Sequence, residues 1–264
     1  MVLGNDLILP DEVRAYNAST PLPYITSMKP GIFTTTIQKI VNLGIQDTRH
    51  FKLVFDPGTE FDFEAGQFIN LMVQAADDKL IKRPYSIASP PFWKGFLDLC
   101  WKRVEGGLVT NYLWKLNEGD TLKVQGPLGR FTLKKPLPGT LVFVSTGTGI
   151  APFRSMIHLL LKEHAPCEIW NIFGNRYEED VLYKEEFETL AREHKNFHNV
   201  FTVSRPKMWK GETQYVQFML KKYIPDPRDK HVYICGLTSM IMEVQKTALE
   251  MGFTKEQIFF EKYD

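Results

Sequence analysis

Arg83-Pro84-Tyr85-Ser86 sets a permanent cation, a flat phenol and a hydroxyl within four residues. A guanidinium can pair with a phosphate. A tyrosine can stack on a planar ring, and a serine can hydrogen-bond a ring nitrogen. An arginine exposed on an edge strand would explain the same residues with no ligand. Downstream, Gly106-Gly107-Leu108-Val109-Thr110 opens an apolar helical stretch. Free backbone N–H groups there can receive a phosphate; a hairpin turn before a capped helix is the alternative. Ser145-Thr146-Gly147-Thr148-Gly149-Ile150-Ala151-Pro152-Phe153 repeats that logic between the apolar run Thr140-Leu141-Val142-Phe143-Val144 and a helical stretch. Strand, glycine turn, helix is a setting in which a diphosphate rests on a helix N-terminus. Alone, such a turn is more often a plain connection.

Three further groups could do chemistry. Ser204, Arg205, Lys210 and Tyr215 supply a hydroxyl, two cations and a stacking phenol within twelve residues. That is what a ribose 2′-phosphate requires, and also what an ordinary surface loop contains. Cys235 closes an apolar run before Gly236-Leu237, where a core thiol is the plain reading. Glu261 and Tyr263 stand near the C-terminus, in what could equally be a frayed last strand.

The elements that must position these residues change character along the chain. From Gly31, short β-rich runs recur between glycine and proline turns: 32–37, 50–55, 67–73, 97–104 and 121–124. Such spacing predicts a sandwich or small barrel, with Arg83–Ser86 between two of its strands. From Pro138, strands at 140–144, 167–173, 200–203, 231–235 and 258–260 alternate with helices at 152–163, 184–194, 213–222 and 239–251. That alternation predicts an α/β doubly wound parallel sheet. The switch falls in Lys134-Lys135-Pro136-Leu137-Pro138-Gly139.

Bulk properties exclude several classes. A chain of 264 residues, 44% hydrophobic and with a net charge of +1, can bury a substantial core. It offers no global attraction for nucleic acid or acidic membranes. No apolar run approaches the roughly 18 residues of a membrane span, and Asp6, Asp11 and Glu12 argue against a leader. Cys100, Cys167 and Cys235 are too few for a structural zinc site or an iron–sulfur cluster. They suit a reducing, cytoplasmic setting.

In this order, the Arg83–Ser86, Gly106–Thr110 and Thr146–Pro152 motifs resemble those of the ferredoxin–NADP(+) reductase superfamily of flavoenzymes, over about residues 31–264. Residues 1–30, with Pro10, Pro21, Pro23 and Pro30 and little periodicity, read as an N-terminal extension outside the resemblance. The resemblance implies an FAD-binding antiparallel Greek-key β-barrel, 31–137, and an NADP-binding α/β domain, 138–264. Arg83, with Pro84 beside it, would meet the flavin diphosphate; Tyr85 would stack on the isoalloxazine; Ser86 would stand near flavin N5. Gly107, Leu108, Val109 and Thr110 match a second phosphate contact, and Gly126–Phe131 the turn that closes the barrel. Thr146, Gly147, Thr148 and Gly149 would hold the pyridine-nucleotide diphosphate. Ser204, Arg205, Lys210, Tyr215 and Gln217 match the segment that grips the 2′-phosphate, which favours NADP over NAD. Arg176 would face the nucleotide or cap the sheet. Cys235, Gly236 and Leu237 would border the nicotinamide, with Glu261 near it and Tyr263 covering the flavin. Asp264, after Tyr263, departs from a strictly aromatic terminus.

The implied activity is hydride exchange with NADP(H) and single-electron exchange with a separate ferredoxin or flavodoxin. Lys79, Lys82, Lys94, Lys102 and Arg103 are candidate docking cations or ordinary solvated side chains; Lys102 also resembles a family lysine near the nucleotide. FAD is expected first. FMN stays beside it because Val104-Glu105-Gly106 leaves no insertion to cover an adenine. A monomer is expected. One alternative is an NAD(P)H-dependent reductase component of an oxygenase. Another is a flavin electron-transfer subunit without turnover of its own, which would carry a C-terminal cysteine cluster that this chain lacks.

Overall fold

The structure, a computed structural model, describes residues 28–44, 47–74 and 79–263. The N-terminal extension up to residue 27, and Asp264, lie outside the described residues. Strands β1 (Gly31–Leu43), β2 (Thr48–Phe55), β3 (Phe68–Gln74), β4 (Leu80–Ser86), β5 (Phe96–Lys102) and β6 (Thr121–Leu128) form an antiparallel sheet ordered β4-β3-β6-β1-β2-β5. An antiparallel bridge from Ile87 to Leu99 joins the two ends, so the sheet curls into a barrel. Residues alternate as a half-solvated sheet demands: Ile69, Leu71 and Val73 of β3 point into the core, Asn70 and Met72 out of it. Phe51, Phe61, Phe63 and Trp101 fill the interior. Each such side chain contributes about 1.5–3 kcal/mol by leaving water. The short helix α1 (Leu108–Trp114) follows β5.

The second half is a parallel sheet ordered β11-β10-β7-β8-β9, from β7 (Thr140–Thr146), β8 (Glu168–Asn175), β9 (Phe197–Val203), β10 (Lys230–Gly236) and β11 (Ile258–Lys262). Helices α2 (Ile150–Lys162), α3 (Lys184–Glu193), α4 (Val216–Tyr223) and α5 (Thr238–Glu250) connect the strands. Leu141–Val144 of β7 are all buried, because helices cover both faces of such a sheet. Strand order reverses between β7 and β10, and ligands of doubly wound sheets bind at that switch point. Helix α2 is buried almost throughout, and Ala65, Ala88 and Cys100 of the barrel share its core cluster. The two halves therefore pack through one continuous interior.

Several elements differ from the sequence expectation. Arg83–Ser86, between the expected strands 67–73 and 97–104, is itself the end of a further strand, β4, at the end of the sheet order, as the edge-strand alternative had it. Pro84 lacks an N–H, and β4 tolerates it because it is the terminal strand of the sheet order. Strand β5 stops at Lys102, two residues short of the expected 104, because the Val104 N–H turns to the Thr110 hydroxyl. Strand β9 begins at Phe197, where it pairs with Ile169. Helix α4 begins at Val216 instead of 213, because the preceding residues are drawn onto β9. There Glu212 bridges Thr202, its carbonyl accepts the Val203 N–H at 2.9 Å, and the Thr202 hydroxyl donates to the Gln214 carbonyl.

Candidate active site

The C-terminal ends of the parallel strands line up most of the residues that the motifs single out. Thr146 ends β7 and Gly147–Gly149 follow it, Arg176 follows β8, Ser204 and Arg205 follow β9, Cys235 and Gly236 end β10 with Leu237 next, and Glu261 lies at the end of β11 with Tyr263 just beyond. From β9 to β11 is four strand spacings, roughly 19 Å at about 4.8 Å each. That is a platform for an elongated ligand. Tyr215 is the N-cap residue of α4 and 63% exposed, beside the β9 end of the platform.

At the opposite end the two halves meet. The Ser86 hydroxyl, buried at the end of β4, donates to Glu261 Oε2 at 3.0 Å. In register, Glu261 pairs with Cys235, and the Tyr263 N–H donates to the Gly236 carbonyl at 2.9 Å. Burial raises the Glu261 carboxyl from 4.5 to about 6, and the Ser86 hydrogen bond offsets part of that rise. Burial, reinforced by the Glu261 charge, raises the Cys235 thiol well above 9.0. A thiol held protonated is a poor nucleophile. The Tyr263 hydroxyl is buried with no well-formed hydrogen bond, and burial followed by Cys235 and Glu261 raises its pKa. A serine hydroxyl, a carboxyl near neutrality, a thiol and a phenol thus converge where barrel and sheet touch.

The residues fit a phosphate-bearing cofactor on each side. Gly147 has φ +54°, the left-handed region, and nothing within 4 Å of where a Cβ would sit, so an anion can approach the backbone. A Cβ at Gly149 would lie 2.4 Å from the Cys235 carbonyl oxygen; only glycine allows the turn to pack on β10. The first turns of α1 and α2 carry no acidic residue and no side-chain cap, which favours an anion there. In α2 the Ile150 N–H already bonds the turn carbonyls and Pro152 has no N–H, so fewer donors remain. On the barrel, Arg83 and Pro84 are exposed while Tyr85 is half-buried, its phenol raised to about 12 by burial. Leu108 is exposed and Val109 buried. The Thr110 hydroxyl donates to the Val104 carbonyl at 3.3 Å and accepts its N–H, so it braces the turn at Gly107.

On the far side, the Arg205 N–H donates to the Arg176 carbonyl and the Ser204 N–H to that of Asn175, so both arginines flank one strand pair. Arg176, Arg205 and Lys210 are exposed, and Gln217 is half-buried in α4. Glu178 and Glu212, which the motif reading passed over, hold the loop: Glu178 accepts from the Met208 N–H and Glu212 from Lys222 and Tyr223. Among the docking candidates, Lys94 pairs with Asp62, Lys82 reaches Gln125, and Arg103 bonds Asn111.

Sequence reasoning missed a buried polar cluster beneath the site. Arg154 of α2 donates to Asp98 at 3.1 Å, to Glu186 at 2.7 Å and to the Ala88 carbonyl at 3.0 Å. His158 Nε2 lies 2.6 Å from Glu186, and His50 lies 3.4 Å from Asp98 and 3.0 Å from the Tyr183 hydroxyl. Burial alone would raise Glu186, but Arg154 and His158 outweigh it and hold the carboxyl at about 2. Burial likewise opposes ionisation of Asp98, and His50 with Arg154 leaves it below its usual value. The available signal was Arg154 and His158, four apart on an otherwise apolar helix face.

A barrel sharing a core with a doubly wound sheet, phosphate-ready turns on both, and acid–base groups at their contact define a two-domain redox enzyme of the flavin and pyridine-nucleotide class. Residues 35–133 match the family described as oxidoreductase FAD-binding domain, and residues 143–246 that described as oxidoreductase NAD-binding domain. A ferredoxin–NADP reductase B from Sorangium cellulosum (strain So ce56) is 39% identical over 216 residues, 78% of this chain and 88% of the relative. NADH-cytochrome b5 reductase 2 of Mus musculus is 30% identical over 247 residues, 81% of this chain and 88% of the relative. A ferredoxin NADP(+) reductase structure from Neisseria gonorrhoeae, 21% identical, shares the fold with a TM-score of 0.73, over 88% of this chain and 98% of that one. The chain belongs to the ferredoxin–NADP(+) reductase-like family of oxidoreductases with FAD-binding and NAD(P)-binding domains. No helix among the described residues is long and apolar enough to cross a membrane.

Proposed function

We propose that the protein exchanges hydride between NADP(H) and FAD and passes single electrons to a separate carrier of the ferredoxin or flavodoxin kind. The observation that carries the reading is the Ser86–Glu261 hydrogen bond across the domain contact, with Cys235 and Tyr263 beside it. A bound flavin supplies the redox chemistry; this chain supplies place, charge and protons. Arg83 and the N-terminus of α1 hold the flavin diphosphate, and Tyr85 lies against the ring. Gly147–Gly149 and the start of α2 hold the nucleotide diphosphate, at the switch point of the sheet. Cys235, packed on Gly149 and kept as a thiol, gives the nicotinamide an uncharged wall. Glu261, with its pKa near neutrality, takes up or releases a proton at Oε2 through the Ser86 hydroxyl. Tyr263, beside Cys235 and Glu261, would cover a bound flavin ring. Residues 31–137 form the flavin domain and 138–264 the nucleotide domain.

The NADP preference rests on Arg176, Ser204, Arg205 and Lys210, cationic and hydroxyl groups beside Tyr215. The 39%-identical relative, itself named a ferredoxin–NADP reductase, supports both cofactor and carrier. The test compares NADPH with NADH under steady state, first with ferricyanide, then with a ferredoxin, a flavodoxin and a cytochrome b5. A kcat/KM at least tenfold higher for NADPH, with turnover of ferredoxin or flavodoxin, is expected. Equal efficiency with NADH would remove the 2′-phosphate argument; cytochrome b5 as the sole acceptor would replace the carrier. For Arg205→Ala, losing one charge-assisted hydrogen bond of about 1.5–3 kcal/mol should raise the KM for NADPH roughly 10- to 100-fold and leave that for NADH unchanged.

A further inference from the structure

Two consecutive residues of the nucleotide helix reach into the barrel at its seam. The Arg154 guanidinium donates to the Ala88 carbonyl at 3.0 Å, and the Ser155 hydroxyl donates to the Ser89 carbonyl at 2.7 Å. Ala88 and Ser89 directly follow Ser86-Ile87, where the Ile87–Leu99 bridge closes the barrel. The same seam is tied from β5: the Ala88 N–H donates to the Asp98 carbonyl at 2.8 Å, and the Asp98 N–H donates to the Ser89 hydroxyl at 2.9 Å. Arg154 completes the circuit by pairing with the Asp98 carboxylate. Arg154, Ser155, Ser89 and Asp98 are all buried.

The far side of Arg154 is as fully engaged. Glu186 of α3 accepts from it, and the Tyr183 ring lies 4.9 Å below the guanidinium. Tyr183 holds φ +55°, a left-handed conformation that is costly for a tyrosine. That conformation coexists with a hydroxyl on His50 and a ring under Arg154. The guanidinium is therefore held from both sides. Helix α2 begins at the Gly147–Gly149 turn, so its first turn and the Ser86 segment are tied together by buried residues of the helix.

We propose that Arg154 and Ser155 are positioning residues for hydride transfer: from the nucleotide helix they grip the carbonyls of Ala88 and Ser89, and so set the distance between the diphosphate turn and the Ser86 hydroxyl. The inference rests on the reading of those two places given under the proposed function. Hydride transfer depends steeply on donor–acceptor distance, and a misplacement of about 1 Å costs up to roughly 100-fold. In the reading above, each cofactor's diphosphate is held by one half of the molecule.

The test uses flavin-loaded Ser155→Ala, Arg154→Lys and wild-type protein. Ser155→Ala deletes a single donor and keeps the experiment decisive if Arg154→Lys fails to fold. Rapid mixing with NADPH, and with NADPH deuterated at the transferred position, gives the reduction rate and its isotope effect. Hydrogen exchange of the same proteins without nucleotide reads the seam. The expected result is a rate lowered about 10-fold or more, an isotope effect that becomes more temperature-dependent, and faster exchange at the Ala88 amide, with flavin content and NADPH affinity within about twofold. Rates and isotope effects matching wild type in the flavin-loaded variants, or unchanged exchange at Ala88, would overturn the proposal. So would loss confined to flavin content, which marks a merely structural role. If NADPH does not reduce even the wild type, the reading of the site falls, and the exchange arm still decides the clamp.

Discussion

Glu261 holds a carboxyl where its charge is poorly solvated. A pKa raised from 4.5 to about 6 corresponds to about 2 kcal/mol between the two protonation states. The folded state binds this proton more tightly than the unfolded chain does. Below pH 4.5 the group costs nothing; the penalty grows between 4.5 and about 6 and is complete above that. Glu261→Gln should therefore unfold later than wild type at pH 8 by up to about 2 kcal/mol, and no later at pH 4. Denaturant unfolding at the two pH values measures this, and an equal difference at both would remove desolvation as the cause. The same substitution should slow flavin reduction and flatten its pH profile around pH 6. The Glu261 position near the end was legible in the chain, by resemblance. Its shifted acidity was not, because desolvation comes from neighbours distant in sequence.

At the scale of elements, the glycine turn after β7 has two different glycines. Gly147 needs its left-handed backbone and borders open space; Gly149 needs the absence of a Cβ against Cys235. Gly147→Ala should cost about 1 kcal/mol and weaken nucleotide binding modestly. Gly149→Ala must push the turn off the β10 backbone, and overpacking of this kind costs about 1–3 kcal/mol. It should also displace Cys235, so its loss of kcat should exceed its loss of stability. Thermal melting together with steady-state rates distinguishes the two; equal behaviour of both variants would show that the contact with Cys235 is unimportant. The turn was legible because strand, glycines and helix are local. Helix α4 was placed three residues early because Thr202 and Val203, a strand away, capture residues 212–214.

For the whole molecule, the buried cluster makes the joint between the halves sensitive to acid. Glu186, at about 2 in the fold against 4.5, contributes stability that is fully present above pH 4.5 and is lost as pH falls toward 2. Removing one partner of a buried pair costs about 3–5 kcal/mol because it strands the other charge. Here Arg154 keeps Asp98, so Glu186→Gln should cost about 3 kcal/mol at pH 7 and much less near pH 2.5. Urea unfolding across that range checks the sign; a cost independent of pH would mean that packing, not charge, is what Glu186 supplies.

Local pattern alone determined the switch from alternating β-runs to alternating strands and helices, because periodicity is written within each element. It also determined the two phosphate-ready turns, since glycine, threonine and a following helix are neighbours in the chain. Tertiary structure decided what depends on pairs far apart. It made Arg83–Ser86 the end of an edge strand, since edge or centre is a property of the sheet order. It joined Ser86 to Glu261, 175 residues away. It turned Arg154 and Asp98, unremarked charges in two apolar segments, into the joint between the domains. A buried charge is tolerable only beside its partner, and the partner is chosen by the fold.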